Sequence, residues 1–183
     1  MITVGGVSWR RAAPWLVLFA LLAAVGAGVL DGLGGGGGGP EPARPGATLE
    51  AAVTRVVDGD TVHARVRGRD ETIRYIGMDT PETVKPNTRV QCFGKTASAA
   101  NRRLVDGQRV RLRLDAEPRD RYGRLLAYVY RRRDGLFVNA ALVRDGFATI
   151  LTIEPNVSHA GDLRALERRA RARRRGLWGA CAP

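Results

Sequence analysis

Short runs in which apolar and charged residues alternate carry most of the fold information in this chain. In "TVHARVR" Val62, Ala64 and Val66 alternate with His63, Arg65 and Arg67, and in "QRVRLRL" Val110, Leu112 and Leu114 alternate with Arg109, Arg111 and Arg113. A period of two puts one set of side chains on each face, so both segments are predicted as strands with one buried and one basic face. "TLEAAVTRVVD", "ETIRYIGM" and "RLLAYVYR" supply three further strands. The first is joined to "TVHARVR" by a tight turn at Asp58-Gly59-Asp60. In "ETIRYIGM" Ile73 and Tyr75 alternate with Arg74 and Ile76, which turns Arg74 away from the side that Tyr75 occupies.

Three segments have helical composition: "KTASAANRRLV", ending at Asp106-Gly107; "FVNAALVRDG", closed by Gly146; and "SHAGDLRALERRARARR". The last has Leu163, Leu166 and Ala170 on one stripe and Arg on the others, with Ser158 as its predicted N-cap. A long Pro-containing loop runs from Asp79 to about Gly94. Five short strands, one helix inserted after the third and two at the end predict an α+β chain with a mainly β core. Its expected form is a closed five-stranded Greek-key barrel of oligonucleotide-binding type with about three helices packed on it.

The N-terminus follows different rules. After Arg10 and Arg11 comes an uncharged stretch of about 19 residues, "AAPWLVLFALLAAVGAGVL", near the length that crosses a bilayer as a helix. We expect residues 1–30 to direct export, either as a signal peptide cut near Val25-Gly26-Ala27 or as an uncleaved membrane anchor. The paired Arg on its N-terminal side predict that the remainder lies outside the cytoplasm. Residues 31–46, rich in Gly and Pro, read as a flexible linker, and residues 47–183 as one folded domain. In an exported chain Cys92 and Cys181 would most simply pair, the alternative being two separately buried thiols. A closed loop of roughly 90 residues would gain about 4 to 5 kcal/mol in the chain-entropy account. Two Cys and two distant His form no zinc ligand cluster.

The chain of 183 residues carries 30 Lys and Arg against 18 Asp and Glu, a net charge of +12. Such an excess favours a polyanionic partner, either nucleic acid or an anionic surface. Against it, three segments place acids or paired charges at strand ends: "VVDGDTV", "IRYIGMDTPE" and "RDRYGRLLAY". Strand ends on one rim of a barrel can converge where mid-strand residues cannot. Asp60 and Asp79 would supply hard anionic oxygens that suit Ca²⁺, with carbonyls and water completing the shell. Arg74 and Arg124 carry planar forks that match phosphate oxygens, and Glu82 is a carboxylate able to take a proton. A cation, two guanidiniums and a base are what hydrolysis of a negatively charged phosphodiester requires.

These motifs, with "VNAALVRDGFA", resemble the staphylococcal nuclease, or thermonuclease, family from about Thr48 to Trp178. The resemblance implies a five-stranded barrel with three helices and Ca²⁺-dependent hydrolysis of DNA and RNA that leaves 3′-phosphate ends. It implies Asp60, Asp79 and the backbone carbonyl of Thr80 as calcium ligands, and Arg74, Glu82 and Arg124 as catalytic residues. Arg121 and Tyr122 are implied near the nucleotide. One departure stands out: Leu151 and Ile153 occupy positions where well-known members carry a Tyr-x-Tyr pair. An aromatic platform is worth about 1 to 3 kcal/mol per base, so its loss should weaken binding of short substrates more than the chemistry. The expected protein is a monomer without an organic cofactor, acting on nucleic acid outside the cytoplasm. The rival readings are a binding module on the same barrel without turnover and a surface-tethered binder of anionic polymers.

Overall fold

The computed structural model describes residues 43–83 and 91–181, so the proposed leader and most of the linker lie outside the described residues. Five strands close a barrel in the order β1 (Thr48–Val56), β2 (Thr61–Val66), β3 (Arg69–Tyr75), β6 (Leu125–Arg131) and β5 (Arg109–Arg113), with β5 returning to β1. All neighbours are antiparallel except β3 and β6, which run parallel. Helix α1 (Gly94–Val105) lies between β3 and β5 in sequence, and α2 (Val138–Arg144) and α3 (Ala160–Ala172) follow β6. The expected architecture is therefore observed, with small additions: a two-stranded ribbon of β4 (Met78–Asp79) and β7 (Thr149–Ile150), and a short helix α4 (Leu177–Ala180). Among the described residues no helix is long and apolar enough to cross a membrane.

The alternating positions fill the interior. Val62, Ala64, Ile73, Val110, Leu112, Ala127 and Val129 are inaccessible to solvent, and Leu163 and Ala170 of α3 are too. Each fully buried Val, Leu or Ile contributes roughly 1.5 to 3 kcal/mol. In β1 the alternation changes parity between Val53 and Arg55, where a register shift allows Val53 and Val56 both to face inward.

Two local expectations need correcting. Ile76, grouped with the outward Arg74, is buried, because β3 ends at Tyr75 and the chain turns into Gly77 beneath Asn139 of α2. Asn139 donates to the Ile76 carbonyl at 2.9 Å and accepts the Val129 N–H at 2.9 Å, joining the end of β3 to β6. Ser158 does not cap α3, whose cap position is His159. The Ser158 hydroxyl instead donates to Asp115 at 2.8 Å, and its N–H does so at 3.1 Å.

Asp115 thereby ties the approach to α3 onto the barrel, since it also accepts the Tyr128 hydroxyl at 3.0 Å and the Ala116 N–H at 3.0 Å. Burial alone raises the Asp115 carboxyl, but the Ser158, Tyr128 and Ala116 donors outweigh it and bring it below its ordinary value. A depressed folded pKa gives stability that is present above the unfolded value and lost as pH falls through the folded one. We expect Asp115→Asn to cost about 1 to 3 kcal/mol at neutral pH. The deficit relative to wild type should shrink below about pH 4, as urea titrations at a series of pH values will read.

The expected disulfide is formed: Cys92 and Cys181 are bonded, with their Cα atoms 5.9 Å apart. It joins the segment before α1 to the end of α4.

Candidate active site

Three turns meet on one rim of the barrel. The β1–β2 turn carries Asp58 and Asp60, the exit from β3 carries Arg74 and leads through β4 to Asp79, Thr80 and Glu82, and the loop before β6 ends on Arg124. These seven residues border one cleft of about 180 Å³. All six residues that the sequence assigns to catalysis or metal binding are thus brought together.

The first two turns are locked by direct contact. Asp60, buried, accepts the Thr80 N–H at 2.8 Å and the Thr80 hydroxyl at 2.9 Å through one oxygen. Its other oxygen accepts the Thr61 hydroxyl at 3.0 Å and pairs with Arg74. Gly59 is glycine for want of space, because a Cβ there would lie 2.6 Å from the Thr80 side chain. The Asp60 carbonyl accepts the Tyr75 N–H at 2.9 Å, which fixes the turn to the end of β3. From the other side Asn101 of α1 donates to the Asp58 carbonyl at 3.0 Å and accepts the buried Tyr75 hydroxyl at 3.1 Å. Asp79 is placed by the ribbon: it pairs with Thr149 of β7, whose hydroxyl donates to the Asp79 carbonyl at 3.3 Å.

Arg74 spans the two acids, pairing with Asp60 and donating to Asp79 Oδ1 at 2.6 Å. Arg124 is oriented by Asp120, which accepts its Nε–H at 2.7 Å and its backbone N–H at 3.0 Å. Glu82 Oε1 accepts the Thr83 N–H at 2.9 Å. The cleft therefore holds four carboxylates, Asp58, Asp60, Asp79 and Glu82, against two guanidiniums. Burial pushes the Asp58 carboxyl up; Arg74 and the Thr61 hydrogen bonds oppose this, and the nearby Glu82 charge adds to it. A site with an excess of negative charge and hard oxygen donors is suited to a divalent ion of the calcium type. Among the described residues no three acidic, His or Cys side chains converge on one point as a ready-made metal cage, so a carbonyl and water would have to complete any shell.

Arg74 and Arg124 also border a second cleft, of about 480 Å³. Tyr122, Leu151 and Ile153, the large apolar residues left exposed among those described, all line it. Exposed apolar side chains gathered at one concavity mark a binding surface. Arg121 also borders it, donating to the Tyr122 hydroxyl at 2.6 Å with its guanidinium 4.8 Å from the ring centre.

The family model described as staphylococcal nuclease homologue matches residues 72–180. The chain belongs to the staphylococcal nuclease family. It is 44% identical over 126 residues to a thermonuclease of Staphylococcus intermedius, covering 69% of this chain and 74% of that protein. A thermonuclease of Staphylococcus hyicus is 40% identical over 126 residues, covering 69% and 73%. Endonuclease YncB of Bacillus subtilis (strain 168) is 39% identical over 132 residues, covering 71% of this chain and 62% of that protein.

In this staphylococcal nuclease homologue some residues at the site escaped the sequence reading. The sequence expectation places Asp58 in a turn, although its spacing of two from Asp60 in "DGD" signals a second acid on the same loop. Asp120 had a signal too, since an acid four residues before Arg124 can reach back to it across a tight loop. Gln91 had none: it meets Glu82 across nine positions, through a contact that no local pattern encodes.

Proposed function

We propose that this protein is a calcium-dependent nuclease that hydrolyses phosphodiester bonds of DNA or RNA outside the cytoplasm, with low sequence specificity and 3′-phosphate products. The observation that carries the reading is the convergence of Asp60, Asp79, Thr80, Arg74, Glu82 and Arg124 on a single cleft. The similar thermonucleases and endonuclease support the nuclease assignment.

Asp60, Asp79 and the Thr80 carbonyl would hold calcium, whose charge, when bound, neutralises the phosphate and the clustered acids. Glu82 takes a proton from the attacking water as its oxygen bonds to phosphorus. Arg74 and Arg124, the two residues shared by both clefts, hold the phosphoryl oxygens as negative charge builds there. The P–O bond to the 5′ oxygen breaks, that oxygen gains a proton, and the phosphate stays on the 3′ side. Next to this cleft, Tyr122 and Arg121 with Leu151 and Ile153 offer one aromatic ring and an aliphatic wall to a base and its sugar. An aliphatic wall buries a base without reading its edges, which agrees with low specificity. The uncharged stretch within residues 1–30 supports export.

The deciding experiment is a digest of single-stranded DNA and of RNA with calcium or with a chelator. Release of acid-soluble nucleotides with calcium, its loss with chelator and its loss in Asp79→Ala are expected. Calcium-raised thermal stability without nucleotide release would instead favour a binding module.

A further inference from the structure

The contact between Glu82 and Gln91 reaches beyond this scheme. The chain between Thr83 and Gln91 lies outside the described residues, but its two ends meet. The Gln91 side-chain oxygen accepts the Glu82 N–H at 2.9 Å, and the Glu82 carbonyl accepts the Gln91 N–H at 2.9 Å. Glu82 is thus held by its backbone on both sides of its Cα. Gln91 is itself exposed, and a hydrogen bond in reach of water contributes little net stability, so something else must keep Gln91 in register.

The next three residues do so. Cys92 is covalently joined to Cys181. Phe93 has a left-handed backbone, φ 69°, which a bulky side chain rarely adopts, and its ring is stacked on Phe147 at 5.7 Å. Gly94 starts α1 directly on the Glu82 backbone: a Cβ there would lie 2.9 Å from the Glu82 carbonyl oxygen and 3.0 Å from that of Pro81. At the far side Cys181 follows α4, which is tied to the end of α2 through the Leu177 N–H and the Gly146 carbonyl at 2.9 Å.

We propose that Gln91 is a positioning residue for Glu82 and that the Cys92–Cys181 disulfide holds Gln91 in place, so that turnover depends on that bond. This rests on the reading of Glu82 as the group that takes the proton. A base displaced by a fraction of an ångström loses its alignment with the attacking water, which lowers turnover without weakening substrate binding.

The test measures kcat and KM on single-stranded DNA with saturating calcium, at a temperature where circular dichroism finds each variant folded. Gln91→Ala should lower kcat by about tenfold to a hundredfold with KM changed by less than about twofold. Gln91→Glu keeps an acceptor oxygen for the Glu82 N–H and should recover most of kcat. Cys92→Ser with Cys181→Ser should reproduce the kcat loss, and adding Gln91→Ala to that pair should cost little more, because both act through one contact. Treatment with a dithiol, which gives up two electrons and two protons to the cysteine sulfurs and becomes a disulfide itself, should match the double Ser variant. Wild-type kcat in folded Gln91→Ala or in the disulfide-free protein overturns the proposal, as do losses that simply add. A wild type without calcium-dependent turnover would overturn the nuclease reading first, and this inference with it.

Discussion

Glu82→Gln is expected to lower turnover by about 10² to 10⁴-fold while leaving substrate affinity and the melting temperature close to those of the wild type. The side chain borders the cleft beside Arg74 and Arg124, and its Oε1 accepts the Thr83 N–H at 2.9 Å. Glutamine has nearly the same shape and retains that acceptor, so the backbone clamp with Gln91 and the packing of Gly94 need not change. What is lost is the capacity to take a proton near neutral pH. Loss of a base made felt in the transition state reduces kcat and kcat/KM together and leaves KM alone. The kcat–pH profile adds a second readout: the acid limb that reports the carboxylate in the bound complex should vanish in Glu82→Gln. Single-turnover kinetics with saturating calcium will separate this from slow product release. A variant with more than about a tenth of wild-type turnover would assign Glu82 to orienting the water instead, and the proton would then have to pass to solvent or to another group on the rim.

The barrel was legible because its strands are half-buried. Val62, Ala64 and Val66 against His63, Arg65 and Arg67 leave one choice of face, and the same holds for the Arg109 to Arg113 strand. Where local order alone did not decide, legibility failed. The β1 register shift lets Val53 and Val56 share a face, and a period-two reading does not predict where parity changes. The β4–β7 ribbon has two residues on each side, too few for any period, yet it carries Asp79. Ser158 has the right chemistry for a helix cap, but Asp115, 43 residues away, offers its hydroxyl and N–H a charged acceptor, and the tertiary bond wins. The site was legible for a different reason. Asp60, Arg74, Asp79, Glu82 and Arg124 lie at or just beyond strand ends, and the pairing of Thr61 with Arg74 and of Arg74 with Leu126 brings those ends to the same rim. Of their supports, Asp120 lies only four residues before Arg124 and is open to a local reading, whereas Asn101 and Gln91 are ordinary polar residues that act through partners 43 and nine positions away.

Arg74 is the residue on which charge balance and chemistry coincide, and its replacement has two consequences that calcium should separate. Its side chain is 15% exposed and pairs with Asp60, whose own is 3% exposed. Removing one member of a buried pair leaves an uncompensated charge and costs about 3 to 5 kcal/mol. Arg74→Ala should therefore lower the free energy of unfolding, read from urea titrations, by that order when calcium is chelated. Calcium placed on Asp60 and Asp79 would supply the missing positive charge, so saturating calcium should restore more stability to Arg74→Ala than it adds to the wild type, through preferential binding to the folded state. Turnover should not return with it: the guanidinium facing the phosphoryl oxygens is still gone, and loss of one such donor costs about 10² to 10³-fold. Arg74→Lys sharpens the comparison. A lysine keeps the charge but cannot bridge Asp60 and Asp79 as the fork does, so it should recover much of the stability and little of the activity. Equal calcium stabilisation of wild type and Arg74→Ala would show that the ion does not sit on these two acids, and the proposed calcium site would have to be abandoned whatever the activity of the variants.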